Sequence, residues 1–264
     1  MTKYFLILLL QFMLLDLAAQ TSSSAKYIKA EEVEEGDGAT VKRVMPMKGL
    51  KDYDPYVLFD DFSITPPSGF PDHFHSGFEV VTYVKEGLLQ HKDSRGNEVV
   101  LGKGDIQCFT TGSGIVHSEM PVGTAQVKGY QIWINLPKVD KQLAPGYVVT
   151  RAAAVPVTKI NDFVSKKIIV GAGAAVSLRA KVLIEEYDMK AGGVDTLILP
   201  LNFQGLLYVV SGTLLIGNKK CSEGDAVLFS KEPLSVSTSE DVVVLLLSGL
   251  PLGEPIRRRG SIVK

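Results

Sequence analysis

The segment Tyr83-Val84-Lys85-Glu86-Gly87 returns 125 residues later as Tyr208-Val209-Val210-Ser211-Gly212, and Gly104-Asp105 with Phe109-Thr110 returns after 120 residues as Gly224-Asp225 with Phe229-Ser230. The difference between the two offsets falls where Asp93-Ser94-Arg95-Gly96-Asn97 in the first copy stands against the shorter Gly217-Asn218 in the second. Insertions of that kind belong in hairpin turns, so the repeated unit is read as strand, glycine turn, hairpin, Gly-Asp turn, strand. Short runs rich in Val, Ile, Leu, Tyr and Phe surround it and are expected as strands over residues 79–84, 99–101, 106–110, 127–135, 181–187, 206–210 and 242–247. Sustained helical periodicity is almost missing after the first residues. The predicted fold is therefore all-β, with two tandem jelly-roll barrels over residues 27–140 and 150–264. The link is expected near residues 137–158, which contain Pro145, Gly146 and Pro156.

The 264 residues suffice for two small domains, each with its own core. Lys and Arg total 28 against 29 for Asp and Glu, so no overall charge draws the chain to nucleic acid or to an anionic membrane. Direct nucleic-acid binding is not expected. The two cysteines, Cys108 and Cys221, are too few and too far apart for a disulfide scaffold or a structural zinc site, and are read as buried thiols. Lys3 precedes an apolar run over residues 4–15, broken only by Gln11, and small residues follow at Ala18-Ala19. Residues 1–20 thus have the shape of a secretory signal peptide, and the run is too short for a stable membrane span. Arg257-Arg258-Arg259 reads as a solvated basic chain end.

Three of the four histidines carry the chemistry. In Asp72-His73-Phe74-His75 the two imidazoles are two residues apart, which puts them on one face of an extended strand, and His117-Ser118-Glu119 repeats the spacing. If both segments face the inside of one barrel, His73, His75, His117 and Glu119 converge as a metal coordination shell. Three neutral imidazoles and one carboxylate leave positions open on a six-coordinate ion, which suits Fe(II), Mn, Ni or Cu better than a closed zinc site. Glu79, four residues after His75, is read as a residue supporting the ligands or moving a proton. His91 is read as an ordinary strand histidine. The repeat supplies an internal control, since the second copy has Ile198, Pro200 and Gln204 where the first has His73, His75 and Glu79, and Ser237 and Ser239 in place of His117 and Glu119. The second barrel is expected to hold no metal.

The runs Leu58-Phe59-Asp60-Asp61-Phe62, Gly69-Phe70-Pro71-Asp72-His73-Phe74-His75, Gly77-Phe78-Glu79-Val80-Val81-Thr82-Tyr83, Gly112-Ser113-Gly114-Ile115-Val116-His117-Ser118-Glu119-Met120-Pro121 and Gln131-Ile132-Trp133-Ile134-Asn135-Leu136 resemble the pirin family. The resemblance runs from about Lys29 to Gly260. It implies a bicupin with one Fe(II) in the amino-terminal cupin, held at the positions numbered here His73, His75, His117 and Glu119. It also implies two roles: dioxygenase cleavage of quercetin or a similar flavonol with O2, or iron-dependent redox co-regulation of a transcription-factor partner in the nucleus. For the first role, the chemistry of the site makes Glu119 or Glu79 the expected acceptor of the substrate proton. The family's usual place is cytoplasm and nucleus, whereas the leader points to the secretory route. The chain departs from the family pattern at Phe74, usually proline, at Ser76 and Ser113, usually or often arginine, and at Cys108, usually tryptophan. A terminal helical segment beyond Gly260, usual in the family, is not expected here.

Overall fold

The computed structural model describes residues 25–264, so the leader over residues 1–20 lies outside the described part. Each half is a sandwich of one seven-stranded and one four-stranded antiparallel sheet. In the first half the larger sheet runs Gly146–Thr150, Ile106–Thr110, Phe78–Glu86, Val127–Asn135, Tyr56–Ile64, Ala39–Met45, Glu31–Glu35. The smaller runs Phe70–His75, Ile115–Pro121, Leu89–Asp93, Glu98–Leu101. The second half repeats this order with Lys26–Lys29, Asp225–Ser230, Gln204–Ser211, Val242–Gly249, Val182–Met189, Val164–Val170 and Val157–Lys159 in the larger sheet. The architecture is the all-β bicupin that the repeat implied, with only two 3-10 turns and no α-helix among the described residues.

The hairpin turn carries part of the sequence offset, with residues 94–97 between the paired strands of the first copy and only residues 217–218 in the second. Asp93 accepts from the backbone N–H groups of Arg95 and Asn97 at 2.9 and 3.0 Å, and Gly96 takes a φ of +89°, so the five-residue loop is closed by its own side chain. Chain segments also cross between the halves. Lys26–Lys29 pairs with Asp225–Ser230 in the second barrel's sheet, while Gly146–Thr150 pairs with Ile106–Thr110 in the first. A boundary drawn between residues 140 and 150 therefore does not follow the sheets, because each barrel covers an otherwise open edge with a strand lying outside its own span.

The two large sheets pack face to face. Their shared core joins Tyr56, Phe59 and Tyr130 of the first half to Leu206, Tyr208 and Leu247 of the second. Phe59 and Tyr208 meet edge to face at 5.1 Å, the Tyr208 hydroxyl donates to Asp61 at 2.8 Å, and the Tyr56 hydroxyl donates to the Ser248 carbonyl at 2.7 Å. Inside the second barrel the core is continuous and apolar, including Leu207, Leu214, Cys221, Phe229 and Leu234. Inside the first, the apolar residues fall into two clusters, and buried polar side chains share the space: His75, Thr82, His91, Gln107, His117 and Glu119. Burying polar groups without partners is costly, so their concentration in one of two otherwise equivalent barrels marks the site.

Candidate metal centre

The strands Phe70–His75 and Ile115–Pro121 lie side by side with His73 opposite His117 and His75 opposite Ile115. Period-two alternation then turns His73, His75 and His117 to the barrel interior. Their ring centroids are 4.4–4.8 Å apart and their donor nitrogens lie within 4.8 Å of one another. The Pro71 carbonyl can only accept, so the His73 Nδ1–H donates to it at 2.7 Å, which leaves a lone pair on Nε2. That Nε2 faces His75 Nε2 at 3.0 Å.

The trio fits a metal ion by its unmet valences. His75 Nδ1 and both ring nitrogens of His117 are buried with no hydrogen-bond partner, although an unpaired buried polar atom costs roughly 1–3 kcal/mol. Burial, followed by the charge of neighbouring imidazoles, pushes the His75 pKa down to about 3 and that of His117 well below the ordinary histidine value. Both rings are therefore neutral at physiological pH, the form that binds metal. Nitrogen-only donors from three imidazoles, with a carboxylate nearby, suit a borderline transition metal rather than magnesium or calcium.

Glu119 is almost fully buried, at 1% exposure, and is fixed by three donors. Oε1 accepts from Thr82 Oγ1 at 3.0 Å and from Gln107 Nε2, and Oε2 accepts from Gln131 Nε2 at 2.6 Å. Gln107 is in turn held by the Tyr147 hydroxyl at 2.9 Å, from the strand Gly146–Thr150. Where the chain pairs with Phe70–His75, a register shift between His117 and Glu119 sets Glu119 opposite Phe70. On the other side the register is regular and Glu119 lies opposite His91. As a result Glu119 groups with His117 and His91, not with all three expected histidines at once, and the two groups share His117.

His91 is accordingly no isolated strand histidine. It is fully buried, its ring is 5.3 Å from that of His117 and is stacked on Tyr147 at 4.6 Å, and its Nε2 lies 3.3 Å from Asp93 Oδ2. Glu79 is not brought to the cluster. Its oxygens accept from Thr110 Oγ1 at 3.1 Å and from the Arg179 backbone N–H at 2.9 Å, on the side of the strand that faces the second barrel. The parity expected from His75 is lost because Gly77, with a φ of +88°, turns the chain between the two strands. The amides Gln107 and Gln131, which orient Glu119, were not assigned a role from the sequence. Each interrupts an apolar strand with a buried or half-buried amide, and that mismatch was the available signal.

The centre opens into a cavity of about 420 Å³, whose lining includes His73, His75, Glu119, Gln131, Trp133 and Arg258. Phe78 stacks on Trp133 at 4.3 Å and both rings lie beside His75, so the wall next to the imidazoles is apolar. The volume is that of an ordinary small-molecule site. Among the described residues, the second barrel contains no group of metal-type side chains.

Residues 38–134 match the Pirin family and residues 185–264 match the Pirin C-terminal cupin domain. A pirin-like protein of Solanum lycopersicum is 36% identical over 248 residues, covering 90% of this chain and 85% of that protein. Among solved structures, a quercetin 2,3-dioxygenase from Acinetobacter baumannii superposes with a TM-score of 0.84 at 25% identity, covering 90% of each chain. A bacterial pirin from Escherichia coli, solved in complex with nickel(II), superposes with a TM-score of 0.73 at 22% identity over 86% of this chain and 99% of that one, a likeness of fold.

Proposed function

Because the chain belongs to the pirin family, we propose that it is a metal-dependent dioxygenase of the quercetinase kind, binding Fe(II) in its first barrel and acting on a flavonol or a similar enediol-like molecule. The observation that carries this reading is the set of buried, unpartnered imidazole nitrogens of His75 and His117 beside a small-molecule cavity. His73, His75 and His117 would hold the ion, with Glu119 as the adjacent carboxylate. Bound there, a ferrous ion would polarise the oxygens of a hydroxy-ketone and supply redox chemistry toward O2.

The chain's own residues do the rest. Thr82, Gln107 and Gln131 fix both oxygens of Glu119, so the carboxylate is oriented before a ligand arrives and can accept the substrate's hydroxyl proton inside the cavity. Phe78 and Trp133 pack against His75 and Phe109 against His117, which gives the imidazoles an apolar backing. Glu79, bonded elsewhere, takes no part.

The test is elemental analysis of protein purified without added metal, followed by oxygen uptake with quercetin. One iron per chain and substrate-dependent uptake that disappears in His75→Ala are expected. Full iron occupancy with no uptake across a flavonol panel would overturn the enzyme and favour an iron-dependent redox regulator. A wild-type protein that takes up no transition metal would overturn both.

A further inference from the structure

The run Arg257-Arg258-Arg259 is split by strand alternation: Arg257 and Arg259 are exposed, while Arg258 turns inward to the cavity that holds His73, His75 and Glu119. It arrives from a short hairpin, Arg258–Arg259 with Ile262–Val263, that the second half sends back to the first barrel. The hairpin is anchored there by Ser76 N–H to the Ser261 carbonyl at 3.3 Å and Val263 N–H to the Ser76 carbonyl at 2.9 Å.

Two guanidinium groups line this cavity, and their situations differ. Arg43 is ion-paired, with Nε and Nη2 on the two oxygens of Asp60 at 2.8 and 2.7 Å and Nη2 also on Glu35 at 2.6 Å. Arg258 donates from Nε to the Gly260 carbonyl at 2.9 Å, but its Nη1 is buried with no partner. Among the described residues it is in no ion pair, although Asp60 and Glu35 line the same cavity. The guanidinium lies over the Trp133 ring at 5.0 Å, and that ring also meets His75 at 4.7 Å. Burial and the like charge of Arg43 lower the Arg258 pKa, yet a guanidinium remains charged throughout the working range. A guanidinium that lines a cavity, is in no ion pair there and has an Nη1 without an acceptor is set up to receive one.

We propose that the Arg258 guanidinium is an anion-docking point for the ligand of this cavity, taking a carboxylate or ionised hydroxyl oxygen while the rest of the molecule reaches the histidines. The cavity thereby selects small acidic ligands over neutral ones of the same shape. The inference rests on the reading of this cavity as a small-molecule site, but not on the identity of the metal.

Trp133 is the chain's one tryptophan and lies directly beneath Arg258, so its emission reports occupancy. The full chain, stripped of metal so that chelation cannot contribute, is titrated with oxalate and with its neutral isostere oxamide. Saturable quenching or shift with oxalate and none with oxamide is expected. Arg258→Gln should weaken oxalate at least tenfold, Arg258→Lys should fall between, and Arg259→Gln should leave it unchanged. Thermal melts confirm that each variant is folded. Equal oxalate affinity in Arg258→Gln and wild type, equal binding of oxamide, or an equal loss in Arg259→Gln would each overturn the proposal. Metal loading, measured separately on the wild type and Arg258→Gln, should be the same in both. Oxalate binding by a wild type that takes up no metal would remove the dioxygenase reading and leave the anion site standing.

Discussion

Gly77 and Val263 approach so closely that no side chain fits between them: a Cβ on Gly77 would lie 1.9 Å from the Val263 carbonyl oxygen. Gly77 also has a φ of +88°, and the Lys141 ammonium bridges its carbonyl, at 2.9 Å, to that of Val263, at 3.3 Å. This is where the carboxy-terminal hairpin is fastened to the first barrel. Gly77→Ala should therefore cost on the order of 1–3 kcal/mol in backbone strain, and the clash should push the hairpin away. The expected outcome is a lower melting temperature together with faster hydrogen exchange at the amides of residues 258–263. A variant with an unchanged melt and protected amides would mean that the hairpin is not held by this contact.

His75→Ala should remove metal more completely than the roughly 10–100-fold loss typical of an outer partner, because it deletes a donor and opens a buried space that water must fill. The neutral form of His75 is secured by its burial, so the wild-type site has its lone pairs ready at pH 7. Isothermal titration with Fe(II) or Ni(II) under anaerobic conditions measures the change. Wild-type affinity in the folded variant would exclude His75 as a ligand.

The histidine pairs were legible because their spacing is local: two residues within one strand share a face whatever the rest of the fold does. The repeat was legible for the same reason, since its glycine turns and Gly-Asp corners recur in sequence order. His91 was misplaced because its neighbour Glu119 lies across a sheet, and cross-strand register depends on turns and shifts that no single strand reveals. Glu79 failed on a related point, since parity counted from His75 does not survive the turn at Gly77. Arg258 looked like part of a solvated basic end, and only the return of the second half's hairpin to the first barrel turns that one side chain of the three inward. The exchanged strands Lys26–Lys29 and Gly146–Thr150 have ordinary strand composition, and nothing in their own residues says which barrel they join.

A buried ion pair across the two halves should make stability fall on the acid side. Glu186, 1% exposed, is bonded to Lys85 of the first barrel and to Lys167 of the second at 2.7 Å. Burial alone would raise its pKa, but the two ammonium groups outweigh it and hold the carboxyl below the usual value of 4.5. With the folded pKa below the unfolded one, this contribution is present above about pH 4.5 and is lost as pH falls through the folded value. Glu186→Gln should cost about 1–3 kcal/mol at neutral pH, discounted because both lysines are partly solvated, and should flatten the dependence below pH 4.5. The buried histidines lower stability below about pH 6.5 in both proteins, so they cancel in the difference. Denaturant unfolding of wild type and variant between pH 7 and 3 gives the comparison, and parallel curves would remove Glu186 from the account.

The last prediction concerns Glu119, whose charge acts on the ion whether or not an oxygen is bonded to it. A negative carboxylate stabilises Fe(III) more than Fe(II), because the attraction grows with the metal's charge. Glu119→Gln deletes that charge at nearly constant shape. The hydrogen bonds must rearrange, since Oε1 now accepts from Thr82 and Gln107 while Oε2 accepts from Gln131. With the glutamine oxygen kept toward Thr82 and Gln107, its new amide N–H group meets the Gln131 amide, which must flip to present oxygen. The flip gives up only the long Trp133 Nε1 bond to Gln131 at 3.4 Å, so the fold should survive. Coulomb attraction of roughly 4 kcal/mol at 4 Å in a partly screened interior sets the scale, and the Fe(III)/Fe(II) potential should rise by on the order of 100 mV. A spectroscopic redox titration of the iron-loaded wild type and variant in one buffer measures it. An unchanged potential in a folded, iron-loaded variant would show that the Glu119 charge does not reach the ion, and the centre would then be the three histidines with solvent.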